Sequence, residues 1–484
     1  MAKRQFSRSA PAQRRRRSDP ARLVAFQVLR AVAEDDAYAN LVLPTAIRRA
    51  KLDRRDAAFA TELTYGALRA EGTYDVILSK CVDRDLAKLD PPVLDALRLG
   101  SHQLMGMRVN THAAVNETVA LVRDQIGVGP SGLVNAVLRR AAEKSYDQWL
   151  ETITAEANEV DALSLRHAHP AWVVRAMRQS LKTYGRGGDL EALLAADNVA
   201  PQVHLVGLPG VEGGQENLAA AVEAGAQPSE LIDGAAIFRG GDVGLLDGVR
   251  QGSLRIQDIG SQWVARALAE PAVQMRERWL DLCAGPGGKA ALLGALAAEF
   301  EVHLTANEPA PHRAELVRKA LAPIEESAWS VRTGDGRTIS ELETSFDRII
   351  VDAPCTGLGA LRRRPEARWR RQPSDLAALT ALQQDLLDAA VDALAPDGLL
   401  AYVTCSPHLA ETVVQVQDAL RRHEDLRLLD AHEVMSDVAL PHGADLLKQR
   451  PSPADDVTAK CVQLWPHIHG TDAMFFALLQ KEAA

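Results

Sequence analysis

The alternation of short apolar runs with helical stretches between residues 279 and 403 most constrains what this chain can fold into. Trp279–Leu282, Val302–Ala306, Trp329–Arg332, Arg348–Val351 and Leu399–Val403 read as strands, and Ala290–Phe300, Arg313–Leu321 and Leu376–Leu394 as helices. Apolar runs bounded by Gly and Pro are buried strands, and their alternation with helices predicts a doubly wound, mostly parallel sheet. Ligands bind such sheets at the carboxyl ends of the strands. Chemistry is therefore sought where each run stops.

The first run stops at Cys283-Ala284-Gly285-Pro286-Gly287-Gly288-Lys289, a turn that leads into a helix. Glycines there let the backbone approach a ligand and point N–H groups at it. The spacing fits neither GxGxxG nor the GxxxxGK[ST] phosphate loop, since Ala290 stands where a hydroxyl is needed. Glu308 follows the second run, where nucleotide folds place an acid on ribose hydroxyls. Asp335 follows the third and offers an acceptor to an adenine amino group. A glycine turn and two acids at successive strand ends describe an adenosyl cofactor without phosphates, and S-adenosylmethionine fits best. An ordinary turn with surface acids is the bland alternative.

The fourth and fifth runs end in Asp352-Ala353-Pro354-Cys355 and Thr404-Cys405-Ser406-Pro407. Neighbouring strands lie about 5 Å apart, which puts both thiols over one pocket. A packed structural pair is the alternative, because free cysteine is among the most buried residue types. The five cysteines are scattered and odd in number, which favours a reducing cytoplasm over a disulfide framework. A net charge of −9 argues against bulk attraction to nucleic acid, so RNA must be met by a local patch. Arg362, Arg363, Arg364, Arg368, Trp369, Arg370 and Arg371 supply one, with six arginines against the single acid Glu366 and an aromatic ring able to stack on a base. A solvated charged face is the plainer reading.

These signals predict a multidomain chain. Residues 1–18 form a basic tail too polar to order itself. Residues 19–145 form an all-α domain, 146–250 a small α+β connector, and 251–484 an α/β Rossmann-like catalytic domain. His102 and His112 are expected to be core or surface residues. No apolar run reaches the roughly 18 residues of a membrane span, and no secretory leader is evident. The protein is therefore expected to be cytoplasmic and monomeric, with no membrane or DNA partner.

Two resemblances sharpen this. Arg54-Arg55-Asp56, Leu97-Arg98-Leu99-Gly100, Val115-Asn116-Glu117 and Val134–Arg140 look like the helical fold of the NusB antitermination factor, which implies RNA binding or a docking role. Gly252–Ser261, the Cys283–Lys289 loop and His469–Ala477 resemble the RNA (cytosine-5) methyltransferases. The pairing of the two resembles the bacterial Sun or RsmB family that acts on 16S (small-subunit) ribosomal RNA.

That resemblance implies that Cys283 to Lys289 surround the methionine end of the cofactor, with Glu308 on its ribose and Asp335 on its adenine. It makes Cys405 the nucleophile, sets Asp352 at cytosine N3 beside the cofactor, and gives Cys355 the release of the covalent adduct. Gly285 stands where many members have alanine, a change that would relax the loop without removing a contact. Ala473 stands where the last motif usually has glycine, leaving that turn open. In DNA cytosine-5 methyltransferases the Pro-Cys cysteine attacks, which would reverse the two roles, but Thr404–Pro407 favours the RNA class. Transfer RNA and large-subunit RNA remain as substrates. A non-catalytic RNA-binding or antitermination factor is the reading from another class.

Overall fold

The computed structural model describes residues 18–107, 109–342, 345–450 and 452–483, so the expected basic tail lies outside the described residues apart from Ser18. The chain forms two compact units, residues 1–168 and 169–484.

The first unit is helical from Pro20–Glu34 to Glu159–His167. Its first helix begins where the Asp19 side chain accepts the Arg22 N–H and proline occupies the first turn, both ordinary start signals. Val24, Val28 and Leu29 then enter one apolar cluster with Leu63, Leu97, Val122 and Leu138. His102 is a core residue: its Nδ1 meets the Tyr74 hydroxyl at 2.8 Å, and a Cβ on Gly66 would lie 1.9 Å from its Nε2.

The compact helical unit runs on past 145 to residue 168. Ser145 forms a capping box for helix Tyr146–Thr154, and Trp149 on that helix enters the same core and donates its indole N–H to Ala141 O at 2.8 Å. Burying an indole of this size outweighs the polar character of the surrounding sequence.

The second unit holds two sheets. The smaller is antiparallel, in the order β2-β3-β1-β4, with β1 Val203–Gly207, β2 Gln227–Pro228, β3 Ala235–Phe238 and β4 Leu254–Ile256. Because β4 pairs with β1, the boundary expected at 250 runs through a sheet. Val206, Leu208, Ile232 and Ala235 also share a core with Trp263 and Ala290–Leu293, so the connector is not a separate body.

The larger sheet contains β5 Arg278–Asp281, β6 His303–Asn307, β7 Trp329–Arg332, β8 Phe346–Asp352, β9 Leu394–Thr404, β10 Leu426–Leu428, β11 Val462–Gln463 and β12 Phe475–Lys481. Its order is β10-β12-β9-β8-β5-β6-β7, with β11 on β12. Strands β5 to β9 run parallel, while β12 joins β9 antiparallel. The chain winds outward from β5 to β7 and then returns to place β8 on the other side of β5. That reversal is a topological switch point, where sheets of this kind bind ligands. The register sets Asp281 opposite Ile350, and Asp352 opposite Val403, so the glycine loop and both cysteine-bearing ends share one edge.

Candidate active site

The glycine loop is built around Glu308. The Gly285 N–H donates to Glu308 Oε2 at 3.1 Å, the Ala310 N–H donates to Oε1 at 3.0 Å, and Arg313 donates to Gly285 O at 2.7 Å. A Cβ on Gly285 would lie 2.2 Å from Glu308 Oε2. Glycine at this position thus leaves room for the buried carboxylate, which an alanine side chain would displace. Gly287 has φ 107° and its Cβ would meet Ala320 at 2.5 Å, so both backbone geometry and packing demand glycine. Asp335 lies at the end of β7, half exposed and bound to Arg337 at 2.6 Å. Those contacts hold its carboxylate below the usual range.

Lys289 opens helix Gly288–Glu299 and reaches back to the sheet. Its Nζ donates to Asp352 Oδ2 at 2.8 Å. Burial pulls the ammonium pKa down, but the Asp352 charge more than offsets this and the net direction is upward. The lysine is therefore a charged donor fixed to the carboxylate at the end of β8.

Cys355 Sγ and Cys405 Sγ lie 3.5 Å apart, and each thiol is partly buried. The pair is electrically asymmetric. The hydrogen bond from Cys355 lowers the Cys405 pKa, with Lys289 and Arg364 adding to that effect. The same hydrogen bond, with burial, raises Cys355 well above an ordinary thiol. The shared hydrogen bond thus favours the thiolate at Cys405 and the thiol at Cys355. Burial raises Cys283 well above its ordinary value, so it is a neutral packed thiol.

Asp281, at the end of β5, escaped the sequence reading. It is 1% exposed, and neither carboxylate oxygen has a hydrogen-bond partner of ordinary geometry. Burial first, then the Asp352 charge, raises its pKa to about 7. A buried acid with open acceptors beside a glycine loop suits a cationic ligand group, such as the ammonium of an amino-acid cofactor. The signal was an acid between Leu280 and Leu282 in an otherwise apolar strand.

The arginine run divides sharply. Arg362 is buried and donates to Gly470 O at 3.3 Å and Asp472 at 3.4 Å. Arg363 bonds Asp472 Oδ2 at 2.8 Å and pairs with Asp258. Arg368 is fully buried on Asn198 Oδ1 at 2.9 Å. These three arginines tie the run to residues 197–198, 258 and 470–472, and their expected RNA contact is corrected to a structural role. Arg364 is exposed, while Trp369, Arg370 and Arg371 are partly so. Ala473, the open turn of the last motif, donates its N–H to Gly359 O at 2.9 Å and does not have a positive φ, so it needs no glycine. Gly359 is the residue under constraint there, since its Cβ would lie 2.0 Å from Ala473 O.

Removing the Arg363 side chain takes from the buried Asp258 and Asp472 the guanidinium that bridges them, leaving Asp472 only the longer Arg362 contact. Arg363→Ala should lower stability by about 3–5 kcal/mol, read as a shifted urea midpoint. An unchanged midpoint with weakened RNA binding would return the residue to the RNA surface.

A glycine loop on a switch-point helix, two strand-end acids and a close thiol pair define an α/β group-transfer enzyme of the methyltransferase type. Residues 269–480 match the sequence profile of the 16S rRNA methyltransferase RsmB/F family, and residues 19–143 that of the NusB family. Curated relatives agree. The Ribosomal RNA small subunit methyltransferase B of Erwinia tasmaniensis is 30% identical over 95% of this chain and 98% of its own. A Mycobacterium tuberculosis H37Rv protein that carries a methyltransferase name is 46% identical over 97% of this chain and 98% of its own. The chain belongs to the RsmB/F methyltransferase family, with a NusB-type helical domain.

Solved structures share the fold. The crystal structure of PH0851 superposes with a TM-score of 0.77 at 20% identity, covering 96% of this chain and 99% of that one. NSun6 from Pyrococcus horikoshii with SFG gives 0.52 at 17% identity, covering 64% and 98%. No described helix is long and apolar enough to cross a membrane.

Proposed function

We propose that this protein transfers a methyl group from S-adenosylmethionine to C5 of a cytosine in 16S ribosomal RNA. The observation that carries the reading is the polarised thiol pair, 3.5 Å apart, beside Asp352 and Lys289. Cytosine C5 is a poor nucleophile, and a reaction there needs both a sulfur that attacks and a second group that accepts a proton.

The roles follow the direction in which the pair is polarised. The Cys405 thiolate gives its electron pair to C6, forming an S–C bond and making C5 enamine-like. Asp352, bound to the Lys289 ammonium, would meet N3 and relay a proton from that ammonium to the nitrogen as negative charge develops on the ring, taking it back when the adduct breaks. The cofactor supplies an electrophilic methyl group to C5. Once the Cys405 sulfur is bonded to carbon it no longer accepts the Cys355 S–H bond, and Cys355 can lose its proton to water. Cys355 then takes the C5 proton, the C5–C6 double bond re-forms, and the C6–S bond breaks to restore the Cys405 thiolate. The target base must leave its stack for the sulfur to reach the ring face.

Asp281, Lys289, Glu308 and the Cys283–Gly288 backbone would hold the cofactor, with Asp335 on the adenine side. Arg364, Trp369, Arg370 and Arg371 would meet the RNA, and the NusB-type unit offers a second RNA-binding surface. A cytoplasmic monomer suits this reading.

Asp281 gives the cofactor claim a pH signature. An ammonium binds the ionised carboxylate, so binding releases a proton while the free-state pKa stays near 7. The measured Kd for S-adenosylmethionine should fall as pH rises from 5.5 to about 7 and then level off. Asp281→Asn should weaken binding roughly 30-fold and flatten that dependence. A steep pH dependence retained in the variant would assign it to another group.

The substrate is tested with methyl-labelled cofactor and unmethylated 16S, 23S and transfer RNA in parallel. Label in 16S RNA alone is expected. Label in another RNA would move the substrate, and label in none would leave an RNA-binding factor.

A further inference from the structure

Catalysis by two thiols from different strand ends requires that they be held at one spacing, and the sheet holds them unequally. Cys405 follows β9, which is clamped between β8 and β12 up to its last residues. Cys355 lies beyond the end of β8, in a loop that the ladder does not reach. Three backbone bonds restrain that loop from outside: Ala353 N–H to Val403 O, Gly359 N–H to Cys405 O and Ala473 N–H to Gly359 O, each 2.9 Å. None acts on the residues flanking Cys355 directly.

Glu411 does. It is fully buried and sits in the short turn Leu409–Glu411 after the second cysteine motif. Its Oε1 accepts the Thr356 N–H at 2.7 Å and the Gln383 amide at 3.3 Å. Its Oε2 accepts the Thr356 hydroxyl at 2.5 Å and the Ser406 hydroxyl at 2.6 Å. Thr356 follows Cys355 and Ser406 follows Cys405, so one carboxylate grips the residue next to each thiol. Gln383 completes the frame by donating to Pro354 O at 2.8 Å, and the Tyr402 hydroxyl anchors the Glu411 backbone through its carbonyl at 2.8 Å.

We infer that Glu411 is a positioning residue that holds the Cys355 loop against Cys405, and that its service is to adduct release more than to attack. Its kinetic consequence rests on the cytosine-5 reading, while its structural consequence does not. A buried carboxylate serving only stability would be expected to bond wherever donors were short. This one joins the two cysteine loops to each other, and its charge also helps keep Cys355 protonated.

The test uses the full chain with Glu411→Ala, Glu411→Gln and Thr356→Val. Gln retains an acceptor for the Thr356 N–H and can donate to a hydroxyl, so it should behave nearly as the native protein. Thr356→Val deletes one hydroxyl arm at constant shape and serves if Glu411→Ala fails to fold. On RNA, assayed above each variant's alkylation midpoint so that Cys405 is equally ionised, single-turnover methyl transfer in Glu411→Ala should stay within about threefold of native while product release slows about tenfold, so that a denaturant-stable protein–RNA adduct accumulates. Thr356→Val should move the same way by less.

Without RNA, the pH at which iodoacetamide alkylates Cys405, followed at that residue by mass spectrometry, should rise by about one unit in Glu411→Ala because the Cys355 donor drifts away. It should stay in place in Glu411→Gln. Transfer and release falling together, or an unmoved alkylation profile in well-folded Glu411→Ala or Thr356→Val, would overturn the inference. A shifted profile in a protein that methylates no RNA would uphold the positioning role and sink the cytosine-5 reading instead.

Discussion

Cys405→Ala should lose methyl transfer altogether, with kcat down by roughly 10⁴- to 10⁶-fold, as expected when a covalent nucleophile is removed. The loss is specific to chemistry. Cofactor binding should survive, because the Cys405 side chain is not among the groups that build the glycine loop. Fold stability should change little, since Cys405 is partly exposed and its strand is fixed by backbone ladders on both sides. The checks are a single-turnover assay, a cofactor titration and a urea curve on the same preparation. Residual transfer within about tenfold of native would show that Cys405 does not attack.

Cys355→Ala should fail differently. Attack and methyl transfer still proceed, but nothing is placed to take the C5 proton, so release should slow by about 10²- to 10⁴-fold. Protein should then run with its RNA on a denaturing gel. A second effect comes from the asymmetry of the pair. Removing the Cys355 S–H takes away the largest influence lowering the Cys405 pKa, so the pH profile of adduct formation should shift upward toward that of a free thiol. A stable adduct with Cys405→Ala and none with Cys355→Ala would mean that the cysteines have exchanged roles.

Much of the site was legible because it lies on regular structure. Apolar runs such as Ile349–Val351 announce a buried strand, and the residues at which they stop mark the active edge. Glycine, acid and thiol at successive strand ends then follow from the register of a parallel sheet.

The arginine run was misread for a physical reason. Six arginines in ten residues suggest a surface, yet Arg362, Arg363 and Arg368 find buried acceptors between 105 and 170 residues away in sequence, namely Asp472, Asp258 and Asn198. Long-range pairing of that kind leaves no local pattern. Glu411 was invisible for the same reason, because its partners Thr356 and Ser406 come from two loops. Asp281 was visible as an anomaly, an acid inside an apolar strand, but its burial beside the glycine loop emerges only from the packing. The compact units extend across the expected limits because Trp149 joins the helical core and β4 pairs with β1.

The identity of the methylated atom tests the account most directly. Unmethylated 16S ribosomal RNA would be incubated with the native protein and methyl-labelled S-adenosylmethionine, digested to nucleosides and separated. The account predicts that the label co-elutes with 5-methylcytidine. Label in 4-methylcytidine, in a methylated purine or on a ribose hydroxyl would contradict it, because none of those products calls for a thiol at C6.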